Sequence, residues 1–202
     1  MKKLMLLIAV AALALMFAAP AFATPETTFL YLDNVLVASG TGSLTYANAN
    51  YNGWNINIDT GLVWSSQPPD LDLSVTAGLN PGVPYSSLDV SFLDTAVGPY
   101  SGDLISRPSA YNTSLGTGGS MLFETYANGT LIPNSIETAP GSYVIGPVTD
   151  MTSMELVSDF TNATAISSDF RVNAPEPSTF LLLGIGLLGA AFFVRKGKKV
   201  SA

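Results

Sequence analysis

Across residues 53–59 every second side chain is apolar: Trp54, Ile56 and Ile58 alternate with Asn55, Asn57 and Asp59. A strand points successive side chains to opposite faces, so a period of two commits the segment to a sheet with one buried and one wetted side. The alternation returns in Leu71, Leu73 and Val75 against Asp70, Asp72 and Ser74, and in Leu88, Val90 and Phe92 against Asp89 and Ser91. It returns again in Ile166, Phe170 and Val172 against Ser167, Asp169 and Arg171. Weaker runs occupy residues 28–37, 43–48, 121–126, 142–145 and 152–158, and Gly, Pro, Asn, Asp and Ser punctuate them all. No helical period exceeds about two turns. The expectation is an all-β domain over residues 24–174, with about nine strands in an antiparallel β-sandwich of jelly-roll or Greek-key type. Residues 97–119, rich in Gly, Pro and Ser, are expected to form the longest loop. No internal repeat or second domain is visible.

Composition narrows the chemistry. The 202 residues include no cysteine and no histidine, which removes disulfides, thiol nucleophiles, Cys/His zinc sites and every triad built on imidazole. Of the eight basic residues, Lys2, Lys3, Arg195, Lys196, Lys198 and Lys199 sit at the extreme ends, leaving Arg107 and Arg171 for everything between. With fourteen of the fifteen acids, residues 24–174 carry a net charge of −12. So acidic a surface repels nucleic acid, whose binding rests on Lys and Arg neutralising phosphates. No cofactor is expected.

The two ends carry transport signals. Residues 1–23 combine the basic pair Lys2 and Lys3, an apolar stretch over residues 4–18, and Ala21-Phe22-Ala23 as a small-x-small signal-peptidase site. At the other end Pro175-Glu176-Pro177 precedes an apolar run of seventeen residues, 178–194, and then the basic cluster Arg195, Lys196, Lys198 and Lys199. Two prolines cannot join a ladder or sit inside a helix, so the first part is expected to be extended and accessible. The second is about 26 Å long as a helix, near the lower limit for a membrane span. The third fixes orientation, since Lys and Arg remain on the cytoplasmic side. The fold is therefore expected to be flanked by an N-terminal signal helix and a C-terminal transmembrane helix. Gly184-Ile185-Gly186-Leu187-Leu188-Gly189 matches the dinucleotide fingerprint, but neither the preceding strand nor the following acid that such a loop requires is present.

Pro-Glu-Pro, an apolar helix and a basic end in this order resemble the PEP-CTERM sorting signal of Gram-negative bacteria, over residues 175–202. The resemblance implies recognition of Pro175, Glu176 and Pro177 by exosortase, an integral-membrane transpeptidase-like enzyme. It further implies an inner-membrane-anchored precursor with its domain in the periplasm, then display at the cell surface or release. The run from Tyr31-Leu32-Asp33-Asn34 to Ser168-Asp169-Phe170 is also similar to β domains of other such proteins.

Within residues 24–174 three further readings compete. Asp70 and Asp72 are spaced as a carboxylate pair for glycan hydrolysis, but on an alternating strand both are expected to face solvent. The same acids could supply two ligands to calcium, although no EF-hand or repeat array accompanies them, and no metal site is assigned. Trp54, Trp64, Tyr46, Tyr51, Tyr100 and Tyr111 could form a sugar-stacking platform, with Trp54 better read as core. Asn112-Thr113-Ser114, Asn128-Gly129-Thr130 and Asn162-Ala163-Thr164 match the glycosylation sequon. The leading expectation is a non-enzymatic envelope or extracellular-matrix protein, whose partners are signal peptidase, exosortase, the inner membrane and extracellular polysaccharide. A carbohydrate-binding module is the alternative, and a carboxylate-based hydrolase the third. N-terminal sequencing of the mature protein is expected to read Thr-Pro-Glu-Thr from Thr24, and Met1 on the mature chain would contradict the cleavage site.

Overall fold

The computed structural model describes residues 27–62, 69–97 and 99–175, and every regular element among them is a strand. In chain order these are β1 Thr28–Leu32, β2 Val35–Gly40, β3 Thr45–Tyr51, β4 Trp54–Leu62, β5 Asp70–Leu79 and β6 Ser86–Asp94. Then come β7 Tyr100–Ala110, β8 Ser114–Ala127, β9 Thr130–Glu137, β10 Tyr143–Met151 and β11 Met154–Asn173. The all-β expectation holds. The signal segment, Trp64, Glu176, Pro177, the apolar run 178–194 and the basic cluster lie outside the described residues.

All eleven strands join one antiparallel sheet, and β11 is its hub. The first half of β11 pairs with β6 on one side and β8 on the other, with Ser158 opposite both Val90 and Phe123. Its second half pairs with β5 and β7, with Phe170 opposite Leu73 and Pro108. Two arms result, β2-β1-β6-β11-β8-β9 and β3-β4-β5-β11-β7-β10, sharing a single long strand.

That strand is folded over. Ten residues of straight strand would set Phe160 and Phe170 about 33 Å apart. Instead both rings lie against Phe123, at centroid distances of 6.0 Å and 5.3 Å. The fold falls at Asn162, whose φ is +50°, where the ladders to β6 and to β8 both lose register. An extra residue in a strand bends it and raises its twist. The corner is fastened from β8, since the Asn162 amide donates to the Thr117 carbonyl at 2.9 Å and the Thr161 hydroxyl accepts from Ser120 N–H at 2.9 Å. Gly119 is required here, because a Cβ would stand 2.8 Å from the Thr161 carbonyl oxygen.

Folding β11 brings the inner faces of the two arms together. Leu30, Leu88, Val90, Phe92, Leu156 and Phe160 of one arm merge with Trp54, Ile56, Ile58, Leu71, Leu73 and Phe170 of the other in one buried cluster. At the sides β2 approaches β3, and β9 lies beside β10 without a ladder, so the sheet nearly closes into a barrel. Where two separate stacked sheets were expected, hydrogen bonding through β11 makes one.

The long loop expected over residues 97–119 is corrected to a strand, a turn and the start of a second strand. Pro108 is accommodated because the β10 ladder ends at Ser106, so its missing N–H breaks no pairing on that side. The glycines of β8 serve the corner rather than a loop. Phe123→Ala is expected to lower stability by about 3–5 kcal/mol in a urea titration, because it opens the contact between the arms. Ile136→Ala, at a side chain 55% exposed on β9, is expected to change it by less than about 0.5 kcal/mol. Equal costs for the two would refute the assignment of Phe123 to the centre of the core.

Candidate functional site

The chain leaves the sheet at the end of β11, and side-chain and backbone hydrogen bonds fasten this exit. Asn173 is the last strand residue, paired with Asp70 on one side and Ile105 on the other. Ala174 is buried, and its N–H donates to the Pro69 carbonyl at 3.0 Å. Pro175 is exposed, so the accessible chain begins with the first residue of the expected motif.

Two guanidiniums hold this end. Arg171 grips Asp70 as a fork, Nε donating to Oδ1 at 2.8 Å and Nη2 to Oδ2 at 2.5 Å. Arg107 lies directly opposite Arg171 on β7 and donates from Nη1 to Asn173 Oδ1 at 3.2 Å. The Asn173 amide in turn donates to the Ala174 carbonyl at 3.1 Å. Both cations of residues 24–174 are thus committed within three residues of the exit. Sequence reasoning missed this arrangement, because Arg107, Asp70 and Asn173 are far apart in the chain and only strand pairing joins them.

The carboxylate pair is corrected in the same place. Asp70 is engaged by Arg171, its side chain only 14% exposed. Asp72 lies between Arg171 and Gly61 on neighbouring strands, half-buried, with Oδ1 unpartnered. Burial pushes its carboxyl up, reinforced by a hydrogen bond to Asp169 and by that residue's charge, against the lowering effect of Arg171. Neither acid simply faces water as expected. On the other arm Asp89 lies opposite Asp159 and is raised to about 6, first by burial and then by Asp159, Asp33, Glu155 and Glu124. Among the described residues no group of three acids is placed to hold a metal ion.

The aromatic platform does not assemble among the described residues. Trp54 is fully buried, as expected for a core residue. Tyr46, Tyr51 and Tyr100 pack against the core, with Tyr51 donating to the Leu32 carbonyl and Tyr100 to that of Asp103. Of the four tyrosines named, only Tyr111 is strongly exposed, at 69%. Two sequon asparagines serve the fold instead: Asn162 at the corner, and Asn128, which accepts from Thr152 and Ser153 N–H and donates to the Asp150 carbonyl.

One buried acid carried no sequence signal. Glu137 ends β9 opposite Phe123, 3% exposed, with both carboxylate oxygens unpartnered. The positive φ of Asn134 and the lost register beside Tyr126 shift the strand's phase, which sends Glu137 inward. Burial raises its pKa to about 7, against smaller lowering effects from the Ser106 hydroxyl and its own backbone.

With this geometry in place, the sequence comparisons bear on the exit itself. A family described as the PEP-CTERM protein-sorting motif matches residues 173–196. No curated protein matches the chain. The match begins at Asn173, the last residue of β11, so the sorting signal starts where the sheet ends. The chain therefore carries a PEP-CTERM sorting motif at residues 173–196, and that motif implies export, a membrane-anchored precursor and recognition by exosortase.

The raised carboxyls make a pH prediction. A carboxyl whose pKa is higher folded than unfolded keeps a proton in the native state that the unfolded chain has lost. Its stabilising effect is complete below the unfolded value and is lost as pH rises through the folded one. For Glu137 that window runs from 4.5 to about 7, at a cost of roughly 3 kcal/mol across it. Thermal denaturation is expected to give a Tm that falls as pH rises from about 5 to about 8. Glu137→Gln is expected to flatten that slope, and an unchanged slope in the variant would remove Glu137 as its source.

Proposed function

We propose that this protein is a non-enzymatic component of the cell envelope or extracellular matrix, exported by its signal peptide and delivered by its C-terminal signal. Cleavage after Ala23 frees the N-terminus. The apolar run 178–194 holds the precursor in the inner membrane, and Arg195, Lys196, Lys198 and Lys199 keep the tail cytoplasmic. Exosortase reads Pro175, Glu176 and Pro177 and removes the anchor, after which the β domain, whose two arms joined through β11 stack as in a jelly-roll-like sandwich, stands at the cell surface or is released. The observation that carries this reading is the sorting motif matched directly onto the end of a domain whose core is already complete.

A second reading concerns what the delivered domain touches. The outer face of β4 and β5 carries a shallow groove of about 530 Å³ lined by Asn55, Asn57, Thr76 and Asn80 together with the apolar Leu79 and Pro81. Amide and hydroxyl groups donate and accept without charge, which suits a neutral polyhydroxylated polymer better than an anion on a domain of this acidity. Contact with extracellular polysaccharide is the ligand class this groove favours.

Replacing Pro175-Glu176-Pro177 by three alanines leaves the apolar stretch and its basic flank intact. Insertion and orientation are therefore expected to persist while processing stops. The variant is expected to accumulate in the inner membrane with its C-terminus attached, as intact mass and fractionation would reveal. Deleting residues 195–199 is expected to disturb topology instead. Normal maturation of the triple-alanine variant would reduce the tail to a plain anchor.

A further inference from the structure

We infer that Asp70 and Arg107 are positioning residues of the sorting reaction, which act through Arg171 and Asn173 to fix where and in which direction the motif leaves the domain. The inference rests on the sorting function proposed above and adds to it a role for residues outside the motif.

Stability accounts for the Arg171–Asp70 fork but not for the place of Arg107. The fork is bidentate and Asp70 is only 14% exposed, so it ties β5 to β11, but with Arg171 45% exposed it holds one contact among the many of a sheet whose core is closed without it. Arg107 stands directly opposite Arg171, and like charges in that position oppose one another. Arg171 does lie among three acids, Asp70, Asp72 and Asp169, but the second cation is set beside the first rather than among carboxylates elsewhere on the domain. There one arginine fixes the neighbouring strand β5 to β11, and the other holds the side chain of the last strand residue.

The spacing gives that placement a consequence. Between Ala174, which is buried and hydrogen-bonded to Pro69, and the expected start of the membrane helix at residue 178 stand only Pro175, Glu176 and Pro177. Four steps of extended chain reach at most about 14 Å. Proline fixes φ, so a Pro-x-Pro segment has little freedom to correct a wrong departure. With so short and stiff a lead, the direction of the motif is inherited from residues 173 and 174. Ordering them in advance spares the enzyme the entropy of doing so during recognition.

Asp70 and Arg107 lie outside the matched motif, so an enzyme reading the motif alone is indifferent to them. The test follows processing of the full-length chain by pulse-chase in cells that carry the processing enzyme. Asp70→Asn and Arg107→Ala are each expected to slow anchor removal by up to about tenfold, the order expected for freeing one residue's backbone. A four-residue Gly-Ser spacer inserted between Ala174 and Pro175 leaves the domain intact and is expected to slow processing comparably. Asp70→Asn in the spacer chain is expected to add nothing, since the spacer has already uncoupled motif from domain. Wild-type rates in both single variants would overturn the proposal. So would a full Asp70→Asn effect persisting behind the spacer, because that variant would then act through the domain's stability. If the wild-type chain itself is never processed, or the triple-alanine chain is processed normally, the sorting function fails and this inference falls with it. Slow single variants beside normal processing of wild type support both.

Discussion

Phe123 touches Phe160 and Phe170 at once, and the rest of the structure depends on that contact. It exists because β11 folds over at Asn162, so that a strand of twenty residues serves two arms and turns its own inner faces toward each other. A flat eleven-stranded sheet would leave one apolar face in water. Folding the hub strand buries that face against itself, which provides a single core with no disulfide to support it. The corner needs an Asn that tolerates positive φ, a Gly where a Cβ would meet backbone, and hydroxyl and amide partners for the groups freed by the bulge.

The same hub joins the fold to the proposed delivery. Because β11 is both the central strand and the last among the described residues, the chain leaves it from the middle of the hydrogen-bonded network rather than from a loose edge. Asn173 has a strand neighbour on each side, and Ala174 continues one bond further along β5. The sorting motif thus starts at a rigid point. The acidity is borne by the outer faces, where burial first, and then Asp169 for Asp72 and Asp159 for Asp89, raise the carboxyl pKa values.

Much of the fold was legible because period-two alternation survives wherever a strand has one wet and one dry face. Trp54, Ile56 and Ile58 are buried and Asn55, Asn57 and Asp59 exposed, as their order implied. The reading failed where composition and pairing diverge. Residues 97–119 look like a loop by their Gly, Pro and Ser, yet Tyr100–Ala110 form a strand whose backbone pairs with β10 and β11. At Asp72 the alternation gave the correct face but not the burial, which comes from Asp169, Arg171 and the close approach of Gly61 on adjacent strands. Glu137 was illegible because one left-handed residue upstream reverses the face that alternation assigns.

By itself the sequence determined the strand class, the exclusion of cysteine and histidine chemistry, and the sorting motif, because each is written in residues adjacent along the chain. Only the tertiary structure decided that the two arms share β11, that Phe123 bridges them, and that Arg107, Arg171, Asp70 and Asn173 meet at the exit. Those outcomes depend on strand order and register between residues tens of positions apart. No local pattern encodes such pairings, because the gain that selects them appears only when both faces of the folded sheet close on a common core.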